Sequence, residues 1–184
     1  MYRLFIAIDP PAQTRDILVE LCYGLPEARW VDESRMHLTL LFLGEVDGAR
    51  FRDARDLLAG LSVEPFELTL KNVGFFPPRK EPEILWAGVE PSDELLHLQK
   101  KIEGRFSRNG FKLKGRKFAP HIRLATVKYT PSAKVAGYLV EHSLFKSPPF
   151  EVEEVRLYSS YLSSERAIHQ VESAVPLWPQ RRAI

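Results

Sequence analysis

The run HLTL at residues 37–40 returns as HIRL at residues 121–124, 84 positions further along a chain of 184 residues. Each copy holds a histidine two residues ahead of a polar side chain, inside an apolar stretch. In an extended strand, residues i and i+2 point to the same side. His37 therefore stands beside Thr39, and His121 beside Arg123, while Leu38, Leu40, Ile122 and Leu124 turn the other way. A strand with one apolar and one polar face must lie between a core and an opening, and this chain contains that arrangement twice.

The surroundings repeat as well. Leu4-Phe5-Ile6-Ala7-Ile8-Asp9-Pro10 matches Leu85-Trp86-Ala87-Gly88-Val89-Glu90-Pro91, Ala49 matches Ala133, and Pro65-Phe66-Glu67 matches Pro149-Phe150-Glu151. Strands are expected over 3–9, 36–43, around 66–70, 84–90, 118–127, 149–160 and 167–175. Helices are expected over 12–24, 48–60, 93–108 and 131–142, with Gly24 and Pro26 stopping the first. The segment Pro77–Pro82 reads as a hinge, and residues 163–166 as a turn. A single domain of two repeated lobes follows, about 3–76 and 84–160, with a C-terminal strand at 167–175. A pseudo-twofold between such lobes would set His37 and His121 facing each other across a cleft.

Composition adds exclusions. A hydrophobic content of 45% and a charged content of 27% suit a globular core, and a net charge of +2 gives only a weak field for polyanions. Any hold on phosphate must come from a local cluster. Cys22 is the only cysteine, so no intrachain disulfide forms, in keeping with a reducing, cytoplasmic setting. No apolar run is long enough for a membrane helix, and the N-terminal residues lack a secretory pattern.

Two facing imidazoles can divide a proton-transfer reaction, since each titrates near pH 6.5 and one can accept as the other donates. A phosphodiester needs this division, because the nucleophile loses a proton and the leaving oxygen gains one. Thr39 and Arg123 supply the donors that the charged phosphate oxygens require. The residues around the histidines make a poor zinc site, so no metal or other cofactor is expected.

With these residues the chain resembles the 2H phosphoesterases, named for paired His-x-Thr/Ser-x motifs, and within them the RNA 2',3'-cyclic phosphodiesterases, also called RNA 2',5'-ligases. The resemblance covers nearly the whole length: RLFIAID, RWVDESRMHLTLLFLGEV at 29–46, VGFFP at 73–77, ILWAGV at 84–89, GFKLKGRKFAPHIRLA at 110–125 and VRLYSSYLS at 155–163. It implies an α+β fold, bilobal and duplicated, with two antiparallel sheets flanking a central cleft and helices outside. It implies metal-free hydrolysis of an RNA 2',3'-cyclic phosphate to a 2'-phosphate, with reversible 2',5' joining in some members. By the resemblance His37 is the general acid for the leaving 3'-oxygen, His121 is the base that activates water, and Thr39 holds a phosphate oxygen. Acid and base exchange when the reaction runs backward. The second motif departs from the family order of His, apolar, Thr, then Arg three residues later: here Arg123 and Thr126 have changed places. Arg123 keeps a phosphate donor on the His121 face, whereas Thr126 has the wrong parity for that face unless the strand bulges.

Phe5, Trp86 and Lys117 are further candidates for RNA contact, the two aromatics by base stacking and the lysine within the basic run Lys112, Lys114, Arg116, Lys117. Core packing competes for Phe5 and Trp86, and a solvated face for the lysines. One of Phe75 and Phe76 is expected at the cleft. His97 and His142 are expected on helix surfaces, and His169 stands where the family usually has tyrosine. The expected partner is an RNA end or nucleotide carrying a 2',3'-cyclic phosphate, and the protein is expected to be a monomer away from membranes. Two other readings share the residues: a non-catalytic RNA- or nucleotide-binding module, and a phosphodiesterase for a small cyclic nucleotide or a 2',5'-oligoadenylate.

Overall fold

A computed structural model describes residues 1–76, 83–164 and 167–178. The hinge read at 77–82 lies outside them, as does part of the turn at 163–166. Among the described residues ten strands and four α-helices follow one another: β1 (Tyr2–Ile8), α1 (Ala12–Glu20), β2 (Arg29–Trp30), β3 (Leu38–Val46), α2 (Gly48–Ala59), β4 (Phe66–Leu68), β5 (Leu70–Phe76), β6 (Ile84–Val89), α3 (Asp93–Arg108), β7 (His121–Thr126), α4 (Ser132–Glu141), β8 (Phe150–Val152), β9 (Glu154–Leu162) and β10 (Ala167–Pro176). No helix among the described residues is long and apolar enough to cross a membrane.

Hydrogen bonding joins eight strands in the order β10-β9-β1-β3-β7-β6-β5, with β2 on β7, and pairs β4 with β8 separately. All neighbours run antiparallel. The link between β3 and β7 is a single pair, Leu38 with Ile122. The large sheet is therefore two four-stranded antiparallel sheets hinged at one point, with the α+β architecture expected. Those sheets are not divided as the chain is. β9 and β10, from the second half, complete the sheet of β1 and β3, and β5, from the first half, completes the sheet of β6 and β7. The region 149–160, expected as one strand, is broken at Glu153 into β8 and β9, and the short β2 carries too few residues to show a period.

The core lies on the helix side of both sheets. Leu4, Ile6 and Ile8 of β1, Leu38 and Leu40 of β3, and Ile122 and Leu124 of β7 are buried there. Helix α3 adds Leu95, Leu98, Ile102 and Phe106 at helical spacing. Its N-cap, Ser92, accepts a hydrogen bond from the Leu95 amide, and Asp93 and Glu94 favour the positive end of its dipole. The alternate residues of β1, Phe5 and Ala7, form a separate small cluster with Tyr158 on the opposite side. That opposite side is the cleft.

Candidate active site

The single pair between β3 and β7 sits at the centre of the site. His37 and Thr39 flank Leu38 on β3, and His121 and Arg123 flank Ile122 on β7. The four residues of the two motifs thus meet on the cleft side of one junction.

Both catalytic strands are bulged at matching places. Ala7 pairs with Thr39 and Ile6 with Leu41, leaving Leu40 unpaired; Trp86 pairs with Arg123 and Leu85 with Ala125, leaving Leu124 unpaired. An extra residue reverses the side on which everything beyond it points. Thr126, paired with Ile84 two residues from Trp86, therefore comes round to the face of His121 and Arg123. The parity that would have carried it away is corrected by the bulge, and the Arg123 guanidinium donates a hydrogen bond to the Thr126 hydroxyl. The ladders also correct the alignment of the repeat. Letters match Phe5 with Trp86, but the pairing matches Ala7 with Trp86 and Phe5 with Ile84, two residues along.

The two histidines sit in unlike surroundings. His37 is 8% exposed, with the rings of Tyr158, His169 and Phe5 at 4.8, 5.3 and 5.6 Å. Its Nδ1 lies 3.4 Å from Oδ1 of Asp9, an ion-pair distance without hydrogen-bond geometry. Asp9 is anchored by Tyr158 Oη at 2.5 Å and Arg156 Nη1 at 2.7 Å, both donating to Oδ2, with Arg15 at 3.4 Å. Burial pushes the Asp9 pKa up, but His37, the Tyr158 hydroxyl and Arg156 together outweigh it and hold the carboxyl below its ordinary value. Among the described residues no carboxylate pairs with His121. Its Nδ1 donates to the Ala119 carbonyl at 2.7 Å, which fixes the neutral tautomer with the lone pair on Nε2. Burial, then the charge of Arg123, lower its pKa against the raising effect of that hydrogen bond.

The backbone dictates this difference. Asp9 follows Ile8, which pairs with Leu38, so the next step brings Asp9 against His37. In the other ladder His121 pairs with Gly88. A Cβ on Gly88 would lie 2.7 Å from the Lys71 carbonyl oxygen and 3.1 Å from the Trp86 ring, so no side chain fits beside His121 at that register.

The remaining candidates fall out as follows. Phe5 is 4% exposed and stacks on Tyr158 at 5.0 Å, which leaves no face for a base. Trp86 lies on the cleft side across Gly74, whose Cβ would fall 2.2 Å from its ring, and is 6.4 Å from His121. Phe76 meets His121 edge-on at 4.9 Å, so it is the member of its pair that lines the cleft. Lys117 and the basic run are exposed in the loop before β7. His97 is exposed as expected, and His142, at the end of α4, is half-buried with its ring 4.3 Å from that of Tyr138 and tilted by 50°. Among the described residues no three His, Cys, Asp or Glu side chains cluster as metal ligands.

Asp9, Arg35, Tyr158, Arg156 and His169 were missed as members of the site. Arg35, in the 3-10 turn Glu33–Arg35 ahead of His37, is close enough to lower the pKa of Arg123 after burial has done so. It also acts on His169, whose pKa burial, His37 and Arg35 bring to about 4. Arg35 makes no ion pair or hydrogen bond through its side chain among the described residues. The Asp-Pro ending of the first strand could have been read from sequence, as a carboxylate at a strand end; Arg156, Tyr158 and His169 depend on β9 and β10 crossing to the first sheet.

Residues 11–162 match the family model described as the 2'-5' RNA ligase superfamily. A Thermotoga maritima protein named RNA 2',3'-cyclic phosphodiesterase is 35% identical over 177 residues, 92% of each chain. One of the same name from Escherichia coli is 37% identical over 127 residues, 66% of this chain and 70% of that one. The crystal structure of E. coli LigT complexed with 3'-AMP superposes with a TM-score of 0.79 at 25% identity, covering 96% of this chain and 98% of that one.

Proposed function

We propose, because the chain belongs to the 2'-5' RNA ligase superfamily, that it hydrolyses the 2',3'-cyclic phosphate at an RNA end to a 2'-phosphate. His121 Nε2 takes a proton from water as the water oxygen bonds to phosphorus. The bond from phosphorus to O3' breaks, and His37 Nε2–H gives its proton to O3'. Solvent then restores both imidazoles. Thr39, Arg123 and the field of Arg35 hold the non-bridging oxygens as charge builds on them. With a ribose 5'-hydroxyl in place of water, the same steps join a 2',5' linkage with the same two roles; in reverse, O3' attacks phosphorus, the 5'-oxygen leaves, and the two roles are exchanged.

The observation that carries this reading is the asymmetry of the pair. The Asp9 carboxylate lies beside His37 Nδ1, while the Ala119 carbonyl takes the Nδ1 proton of His121 and leaves a free lone pair on Nε2. Both halves of the site come from one chain, so a second copy is not needed.

The test is an assay without metal on RNA ending in a 2',3'-cyclic phosphate. A 2'-phosphate product is expected, with turnover down by about 10²–10⁴ in His37→Ala and in His121→Ala. Binding without hydrolysis by the wild type would instead identify a capture module, and faster turnover of 2',5'-oligoadenylate would move the substrate class.

A further inference from the structure

Between β2 and β3 the chain makes a short excursion that is fastened on both sides of Arg123. It leaves β7 at Val31, whose amide donates to the Leu124 carbonyl at 2.8 Å, and rejoins β7 at Leu38, which pairs with Ile122. The 3-10 turn Glu33–Arg35 lies in that excursion. The Arg35 amide closes the turn on the Asp32 carbonyl at 2.9 Å, and the next residue, Met36, is buried in the core. Arg35 is thereby held beside the second motif. Its charge is felt by Arg123 on β7 and by His169 on β10, one on each side of the cleft. Its Nε is buried and has no hydrogen-bond partner among the described residues. Two other arginines near His37 are already engaged, since Arg156 and Arg15 both pair with Asp9. Arg123 meets the neutral Thr126 hydroxyl. Two guanidiniums therefore stand together at the junction, and among the described residues no carboxylate pairs with either.

Hydrolysis changes the charge at this place. A cyclic phosphate ester carries a single negative charge, whereas a phosphate monoester carries about two above pH 7, its second pKa lying near 6. A second guanidinium adds more to the hold on a dianion than on a monoanion. We infer that Arg35 and Arg123 form a clamp selective for a phosphate monoester, so that the site holds the 2'-phosphate product more tightly than the cyclic substrate and is inhibited by it. The inference rests on the cyclic-phosphate reading above. It gives Arg35 a part in product release and none in the proton transfers.

The test uses two ligands that share base and sugar and cannot cyclise: 3'-deoxyadenosine 2'-phosphate and its methyl ester. Calorimetry at about pH 7.5, where the monoester is close to a dianion, gives the ratio of their affinities in the wild type, Arg35→Gln and Arg35→Lys. The wild type should favour the monoester. The ratio should fall on the order of tenfold in Arg35→Gln and return in part in Arg35→Lys, which restores the charge without the fork. A wild type without this preference, or an unchanged ratio in Arg35→Gln, overturns the clamp. Hydrolysis of adenosine 2',3'-cyclic phosphate is measured in parallel, with added adenosine 2'-phosphate as inhibitor. Inhibition should weaken by a similar factor in Arg35→Gln, and equal inhibition constants in the two proteins overturn the clamp as well. A ratio that falls in a protein that hydrolyses nothing keeps the clamp and removes the enzyme, while hydrolysis with an unchanged ratio does the reverse.

Discussion

At the scale of single residues, the difference between Asp9 and Gly88 separates two histidines that the sequence presents as twins. Asp9→Asn keeps the volume and the Tyr158 contact but removes the charge facing His37. Turnover should fall on the order of 10²-fold, within the span of acid–base contributions, while a melting curve reports how much Arg15 and Arg156 lose with it. Arg123 has a second effect besides holding phosphate. Its charge lowers the His121 pKa, after burial has lowered it more. A base works when unprotonated, so the acidic limb of kcat/KM should lie below the ordinary histidine value near 6.5. Arg123→Gln removes the repulsion, so that limb should move to higher pH as well as lose height. A limb that stays in place in the variant would mean that burial alone sets it.

At the scale of elements, the bulges at Leu40 and Leu124 decide which side chains reach the cleft. Alternation correctly read the pairs His37 with Thr39 and His121 with Arg123, because no bulge intervenes within either pair. It failed for Phe42 and Thr126, which lie beyond one. A bulge is a property of pairing with β1 and β6 and leaves little trace in the letters. It explains why exchanging threonine and arginine in the second motif keeps the same groups on one face. The double variant Arg123→Thr, Thr126→Arg should therefore turn over substrate within about tenfold of the wild type, whereas Arg123→Thr alone should lose on the order of 10²-fold. Steady-state rates on one cyclic-phosphate RNA decide this; a double variant as poor as the single one would show that the faces are not interchangeable. The helices were legible nearly to their ends because burial at 3.6-residue spacing writes itself into sequence, as in Leu95, Leu98, Ile102 and Phe106.

At the scale of the whole molecule, the repeat was legible but the exchange of strands between its halves was not. β9 pairs with β1 across more than a hundred residues and brings β10 with it, and such a partner cannot be chosen from local pattern. That exchange delivers Tyr158, Arg156 and His169 to His37, so the site's support was hidden with it. It also leaves a pH dependence in the fold. In the unfolded chain His121 and His169 accept protons near pH 6.5. In the fold both are lowered, His121 by burial and the charge of Arg123, and His169 to about 4 by burial and the charges of His37 and Arg35. Between those values the unfolded chain holds more protons, so stability rises with pH across that window and is complete above it. Asp9 is lowered as well, so its contribution is present above its unfolded value of 3.8 and is lost as pH falls through its lower folded value. Urea midpoints should accordingly be lower at pH 5 than at pH 7.5. His169→Phe keeps a ring against Phe5 and His37 but cannot take a proton. Its midpoint should change less with pH between about 4 and 6.5 than that of the wild type, and equal slopes in the two proteins would exclude His169 as a source of the dependence.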